Sequence, residues 1–254
     1  MLSMQRCEPI RQLQAAAQPG AEVYNRHARL YGRKHDRFLR IAGGATQSAV
    51  EGMLSAILEP GLKILDAGCG TGRLGGFLQT MEPGIELTLL DAAPNMLSRI
   101  VNAKARTIEG SVTELPFGDG TFDAVICTWV LETLAEPHAG LAELMRVLKP
   151  GGTLCMAICI EPEQPIDLIT RIFMRRVKTR WQGHQLPLAD LEASLRSAGG
   201  TQVRVRRDRV TAAIFARKRN RVDPSGNGGE ACRASRLPAS SQATSRQSPA
   251  AAQS

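Results

Sequence analysis

No two cysteines form a CxxC pair, although the 254-residue chain holds six: Cys7, Cys69, Cys127, Cys155, Cys159 and Cys232. The single CxxxC, Cys155 and Cys159, has no second cysteine or histidine pair at zinc spacing. No metal site is therefore expected, and reduced thiols in a cytoplasmic protein are the simplest reading. Long apolar runs are missing too: none approaches the roughly 20 residues that span a bilayer. The opening "MLSMQRCEPIRQLQ" has no apolar h-region, so no secretory signal is expected. There is no internal repeat. Nor is positive charge spread evenly. The net charge is +8, yet Ile64 to Thr170 carries six Lys/Arg against fourteen Asp/Glu, and the flanks carry the basic excess. An evenly basic nucleic-acid binder would look different, so no specific nucleic-acid partner is expected.

What is present is an alternation. Residues 1–20 are polar, Ala/Gln-rich and end in "QPG", the composition of a flexible arm. From Ala21 to Leu58 the pattern is helical, with a break expected at "AGGA" (42–45) and a stop at Pro60–Gly61. Strands are expected at 62–67, 85–92, 105–110, 122–130 and 153–160. Helices are expected at 72–81, 93–103 and 137–148, with a turn at "KPGG" (149–152). This spacing implies right-handed crossovers and a mostly parallel α/β sheet covered by helices on both faces. Beyond Ile160 the rhythm changes. A basic amphipathic helix is expected at 166–181, within a covering insertion at 161–187. A helix at 188–200 and an antiparallel hairpin, "TQVRVRRDRV" and "TAAIFARKR", close the domain near 221. Residues 222–254 are Ser, Ala, Gly, Pro, Gln and Arg with almost no large apolar residue, and are read as disordered.

"LDAGCGTGRLGGF" (65–77) holds five glycines in thirteen positions, directly after an apolar run. Two registers compete. Gly70–Thr71–Gly72–Arg73–Leu74–Gly75 fits the GxGxxG dinucleotide fingerprint, but it begins four residues beyond Asp66, too far from the strand. The other register, DxGxGxG from Asp66 to Gly72, places a carboxylate at the strand's end and spaced glycines at the helix N-terminus. There the backbone approaches a ligand closely. Asp91 ends the next strand, nineteen residues after Gly72, where an acid can bridge two ribose hydroxyls. Its competing role is to cap the helix that follows.

With "ILDAGCGTG", "LTLLDAAPNML", "GSVTELPFGDGTFDAVICTWVLETL" and "ELMRVLKPGG" in this order, the chain resembles the class I S-adenosylmethionine-dependent methyltransferases. It is most similar to the small-molecule type related to ubiquinone/menaquinone C-methyltransferases. The resemblance runs from about Tyr24 to Arg217. It implies a Rossmann-like, mostly parallel seven-stranded sheet with a C-terminal antiparallel hairpin, and S-adenosylmethionine as cofactor. By position, it implies that Gly68, Gly70 and Gly72 bracket the methionine and ribose of that cofactor and that Asp66 positions the loop and the amino group. Asp91 would take the ribose hydroxyls, with Ala92 and Met96 flanking the adenine. Thr128 stands where a main-chain carbonyl receives the amino group. Ser111, with Val112 after it, stands where relatives usually have an Asp, so its hydroxyl would take the adenine amine without charge. Thr133 stands where relatives often have His. The helical segment "YNRHARLYG" (24–32) resembles the family's lid. Tyr31 is the closer match to its cofactor-covering tyrosine, although a ring packed between helices fits equally.

The resemblance implies no acceptor. No Asn/Asp-Pro-Pro-Tyr/Phe follows the fourth strand, which argues against methylation of nucleic-acid bases. The candidate bases are Glu132, just past that strand, and His27 and His35 on the lid. His138 and His184 are poorer ones. On 166–181, Arg171, Arg175 and Lys178 share one face. An ordinary lid helix accounts for them, and so does peripheral contact with the inner, anionic face of a membrane, which would suit a lipid-like acceptor. Two other functions stay open: a cofactor-binding regulatory or assembly protein without transferase activity, and an NAD-dependent oxidoreductase.

Overall fold

The computed structural model describes residues 19–101, 104–181 and 183–220. The expected arm and tail lie outside the described residues, except that the first helix already begins at Pro19.

Strands that lie between helix layers must be apolar on both faces. β1 (Lys63–Ala67) and β2 (Glu86–Asp91) meet that requirement, being exposed only at their first residues. β1 pairs in parallel with β2 on one side and with β4 (Phe122–Thr128) on the other. β3 (Arg106–Glu109) extends the sheet beyond β2, and β5 (Leu148–Cys159) beyond β4. The hairpin β6 (Gly200–Asp208) and β7 (Thr211–Lys218) completes it, with β7 antiparallel to β5. The order is β3-β2-β1-β4-β5-β7-β6. After β1 the chain winds to one side and then returns to the other. The carboxyl ends of β1 and β4 therefore flank the switch point at which open α/β sheets bind ligands.

Alternate residues feed two cores. Leu65, Val125, Leu154 and Met156 face α5 (Pro137–Val147) and α7 (Leu188–Ser197). Ile64, Ile126, Cys155 and Ala157 face α2 (Gly44–Ser55) and α3 (Arg73–Met81). α1 (Pro19–Phe38) and α6 (Leu168–Trp181) lie over the carboxyl end of the sheet.

Four expectations need correction. The break at 42–45 is a π-helical turn, Leu39–Gly43, that runs on into α2. Gly43 permits it: a Cβ there would lie 2.6 Å from Phe38 Cε1 and 3.1 Å from Trp129 Cη2. The helix expected over 93–103 is one turn, α4 (Pro94–Leu97). Past it the backbone bonds tighten to i→i−3, Arg99 N–H to the Met96 carbonyl and Ile100 N–H to that of Leu97, and Val101 is solvent-exposed. "KPGG" lies within the bounds of β5 as an irregularity, with Gly151 at φ 74° and the β4 partner of Leu148 and Thr153 shifting from Phe122 to Ala124. Strand β4 stops at Thr128 because Trp129 turns into the left-handed region at φ 62°.

Arg146 on α5 braces the segment that follows β3. Its guanidinium donates to the carbonyls of Leu115 (3.0 Å) and Phe117 (2.7 Å) and to Glu143 and Asp119. Glu143 in turn accepts from the Leu115 N–H. Arg146→Met is expected to lower unfolding free energy in urea by about 2 kcal/mol, since charge-assisted hydrogen bonds contribute about 1.5–3 kcal/mol and this side chain is partly screened.

Candidate functional site

The loop after β1 carries Gly68, Gly70 and Gly72 at φ 79°, 55° and 72°. A side chain at 68 would be strained twice over, because its Cβ would also fall 2.3 Å from Val130 Cγ2. The N–H groups of Gly68 and Cys69 donate to the Leu90 carbonyl at 2.7 and 2.9 Å, which sews the loop to β2. One residue further, Gly70 N–H donates to Asp91 Oδ2 at 2.8 Å. Asp91 Oδ1 accepts from Ala93 N–H at 2.9 Å.

Asp91 is therefore no helix cap, since α4 has no side-chain cap. Its carboxylate ties the loop to the end of β2, and each oxygen keeps a lone pair for a further donor. Burial pushes its pKa up, and the two amide hydrogen bonds oppose that shift. Asp66 lies beneath, 2% exposed, with its carboxyl pushed up to about 7 by burial and then by the Asp91 charge.

A small cavity of about 60 Å³ opens above this tie. Gly68, Gly70, Asp91, Ala92, Met96, Val112, Thr128 and Tyr31 border it, so eight of the expected cofactor residues come together. Asp66, Gly72 and Ser111 stand behind that lining. Gly72 starts α3, and the buried Ser111 hydroxyl pairs with Thr113, at 2.6 Å to its hydroxyl and 3.0 Å to its N–H. Tyr31 borders the cavity from α1, and a Cβ built on Gly70 would meet its ring edge at 3.6 Å.

A second cavity, about 480 Å³, lies between α1, α6 and the 3-10 turn Leu131–Thr133. It shares Tyr24, Tyr31, Trp129 and Thr133 with the first, so the two spaces adjoin. Glu132 points into it from beneath. Oε1 accepts from the Cys159 N–H at 3.3 Å, while Oε2 is buried without a hydrogen-bond partner among the described residues. Burial pushes this carboxyl up to about 7. His35 also lines the cavity, stacked on Tyr31 at 5.3 Å. Burial, and then the Arg73 charge, hold it down to about 4, so its imidazole is neutral at physiological pH. His27 does not line it: its Nδ1 lies 2.9 Å from the Val23 carbonyl and its ring meets Trp181 edge-on.

The sequence reading missed Trp129, Trp181, Phe38 and Lys34, all of which line the larger cavity. Trp181 stacks on Tyr24 at 5.0 Å and joins α6 to α1. A signal was available in the composition. The chain has two Trp and two Tyr, and all four border this one space.

Residues 65–156 match the family described as "Methyltransferase domain". A demethylmenaquinone methyltransferase of Thermus thermophilus is 37% identical over 45% of this chain and 56% of its own. An uncharacterized methyltransferase of Synechocystis is 33% identical over 58% of this chain and 70% of its own. The chain spans about half the length of most of the demethylmenaquinone methyltransferases it matches. A solved phosphoethanolamine N-methyltransferase 2 of Haemonchus contortus shares the fold, with a TM-score of 0.60 at 14% identity, over 70% of this chain and 54% of that one.

Asp91→Asn is expected to weaken S-adenosylhomocysteine binding by about tenfold or more in calorimetry, the loss of one charge-assisted pair of acceptors, with an unchanged circular dichroism spectrum.

Proposed function

We propose, on the premise that this chain belongs to the class I S-adenosylmethionine-dependent methyltransferases, that it moves a methyl group from S-adenosylmethionine to a small or lipid-like acceptor held in the larger cavity. The observation that carries this reading is the junction of the two cavities. The acid-and-glycine site and the apolar chamber meet at Tyr24, Tyr31, Trp129 and Thr133.

The residues present fit the cofactor. Asp91 has acceptor capacity left for ribose hydroxyls. Gly68 and Gly70 offer bare backbone, Ala92, Met96 and Val112 an apolar wall for adenine, and Asp66 and the Thr128 main chain polar groups for the amino end. Gly72 holds the turn behind them, and Ser111, its hydroxyl on Thr113, stands behind the adenine side where relatives usually carry an acid. Bound S-adenosylmethionine supplies a methyl group already activated on a sulfonium. The chain's own task is then to orient the acceptor and exclude water. The smaller cavity, about 60 Å³, is too small for the whole cofactor, and Tyr24 and Tyr31 of α1 border it, so entry requires α1 to move outward. α1 is held there by exposed contacts: Asn95 N–H to Asn25 Oδ1 at 2.7 Å, and the Arg73–Asp36 ion pair. α1 thus serves as a lid hinged on the sheet-bound α2, and α6 covers the acceptor.

Glu132 is the group we assign to an acceptor proton. Glu132 lines the chamber, its Oε2 has no hydrogen-bond partner among the described residues, and a carboxyl poised near neutrality can both receive a proton and release it. His35, neutral and next to Tyr31, is the second candidate. His27 is set aside because it is engaged in the α1–α6 contact.

α6 also supports contact with an anionic membrane. Leu168, Ile169 and Ile172 are 59%, 75% and 46% exposed at its amino end, beside Arg171 and Arg175. Ile169 and Ile172 also line the chamber, so the apolar knuckle stands at its mouth. No described helix is long and apolar enough to cross a membrane.

Incubation with labelled S-adenosylmethionine and a fractionated extract of the source organism is expected to place label in lipids or soluble metabolites, and label confined to RNA would overturn the proposal. In that assay kcat/KM should rise with pH through about 7, as Glu132 ionises. Glu132→Gln should remove that limb and cost about a hundredfold in rate. Flotation with anionic vesicles should carry the protein upward, and Arg171→Gln/Arg175→Gln/Lys178→Gln should leave it at the bottom. Equal flotation of the two would sink the membrane contact.

A further inference from the structure

Two polar atoms lining the larger cavity are buried without a hydrogen-bond partner among the described residues. One is Glu132 Oε2 and the other is Lys34 Nζ. The two are not alike. A carboxyl can relieve its burial by taking a proton, and burial pushes Glu132 that way, up to about 7. An ammonium group loses its charge less readily, and a nitrogen shielded from water without an acceptor is unfavourable, even though the Lys34 residue as a whole is only half-buried. Lys34 Nζ lies over the Trp181 ring at 5.3 Å, and this cation–π contact offsets only part of that cost. Burial, and then the neighbouring Arg180, hold the Lys34 amine below its usual range.

The rest of the lining deepens the imbalance. Arg37, Arg176, Lys178 and Arg180 border the same chamber, and none of them has an acidic partner among the described residues. Glu132 is the one acid in the described lining, and its burial keeps it largely neutral below pH 7. Between these poles the wall is apolar: Phe38, Trp129, Ile172, Phe173, Met174 and Val177. Arg37, Arg176, Lys178 and Arg180 are exposed, so water screens them in part, but a cationic amine entering here would still meet a net positive rim. An anion would meet their attraction, and it would give Lys34 the charged partner that no described residue supplies.

We propose that the acceptor is an anionic amphiphile, an apolar or aromatic body bearing an oxyacid group that pairs with Lys34 inside the chamber. This rests on the reading of the chamber as the acceptor site. It differs from attraction of the outer helix face to an anionic bilayer. Lys34 Nζ is buried and faces the chamber, whereas Arg171 and Arg175 are exposed on α6.

A matched pair of dyes tests it. 1-Anilinonaphthalene-8-sulfonate and N-phenyl-1-naphthylamine share one skeleton and differ by the sulfonate. They are titrated into the full chain saturated with S-adenosylhomocysteine and read by energy transfer from tryptophan. The sulfonate is expected to bind at least about tenfold more tightly, the equivalent of one charge-assisted contact. Lys34→Met should shrink that preference to within about twofold, while Arg171→Gln/Arg175→Gln leaves it intact. S-adenosylhomocysteine affinity, measured in parallel, should be the same in all three proteins. Equal binding of the two dyes to the wild type, binding of neither, or a preference that survives Lys34→Met would each overturn the proposal. Failure of the wild type to bind S-adenosylhomocysteine would instead sink the methyltransferase reading and leave the dye result to stand on its own.

Discussion

One hydrogen bond organises the cofactor half of the molecule: Gly70 N–H to the Asp91 carboxylate. It crosses from the end of one strand to the end of the next, and it can form only because the loop between them passes through left-handed backbone at 68, 70 and 72. The sewing of Gly68 and Cys69 to Leu90 places the donor. The parallel pairing of Ala67 with Leu90 places the acceptor. What results is a buried anion held by two amides, with capacity left on the open side. Its position at the switch point brings it beside the turn that carries Trp129 and Glu132. The chemistry of the donor and that of the acceptor are thereby put within a few residues of each other.

The acceptor half is built differently. No single strand supplies it. α1 and α6, far apart in sequence, close over the sheet through rings: Tyr24 on Trp181, Tyr31 edge-on to Trp181, Phe38 edge-on to Trp129. Trp129 is held on both sides, its N–H on the Ala157 carbonyl and its indole on Gln47. These contacts hold a left-handed, non-glycine residue in place, at a cost of order 1 kcal/mol or more that the surrounding packing must outweigh. The chamber is thus rigid at its floor, and its roof is held by stacking and a few exposed polar contacts.

How legible each half was follows from the range of the interactions that build it. The strand–loop–helix at 62–81 and the acid closing β2 are local patterns, and a chain read in order displays them. Seven strands with a terminal hairpin could be read for the same reason: alternation of period two and period 3.6 is local. Lengths were less legible. The helix after Asp91 looked eleven residues long because its apolar spacing continued, yet after one turn its backbone bonds tighten to i→i−3 and run out at Ile100. The end of β4 was misplaced by two residues because nothing in "TWV" announces that Trp129 leaves the extended region. The chamber was hardly legible at all. Lys34 reads as one more surface lysine on a basic helix, and only the arrival of α6, some 140 positions on, covers it. Glu132 was singled out for its place after β4, but its burial depends on β5 and on the segment at 183–185.

The π-helical turn at Leu39–Gly43 has a geometric effect on this chamber. An ordinary helix advances about 100° per residue, so one residue inserted or removed turns everything upstream by that angle about the axis. α2 is fixed by its packing on the sheet. The widened turn therefore acts as a phase adjuster. It sets which azimuth of α1 looks inward, and with it whether Tyr31, Lys34 and Phe38 face the ligand space or the solvent. A lineage that trimmed a single residue there would keep every one of those side chains and aim them elsewhere.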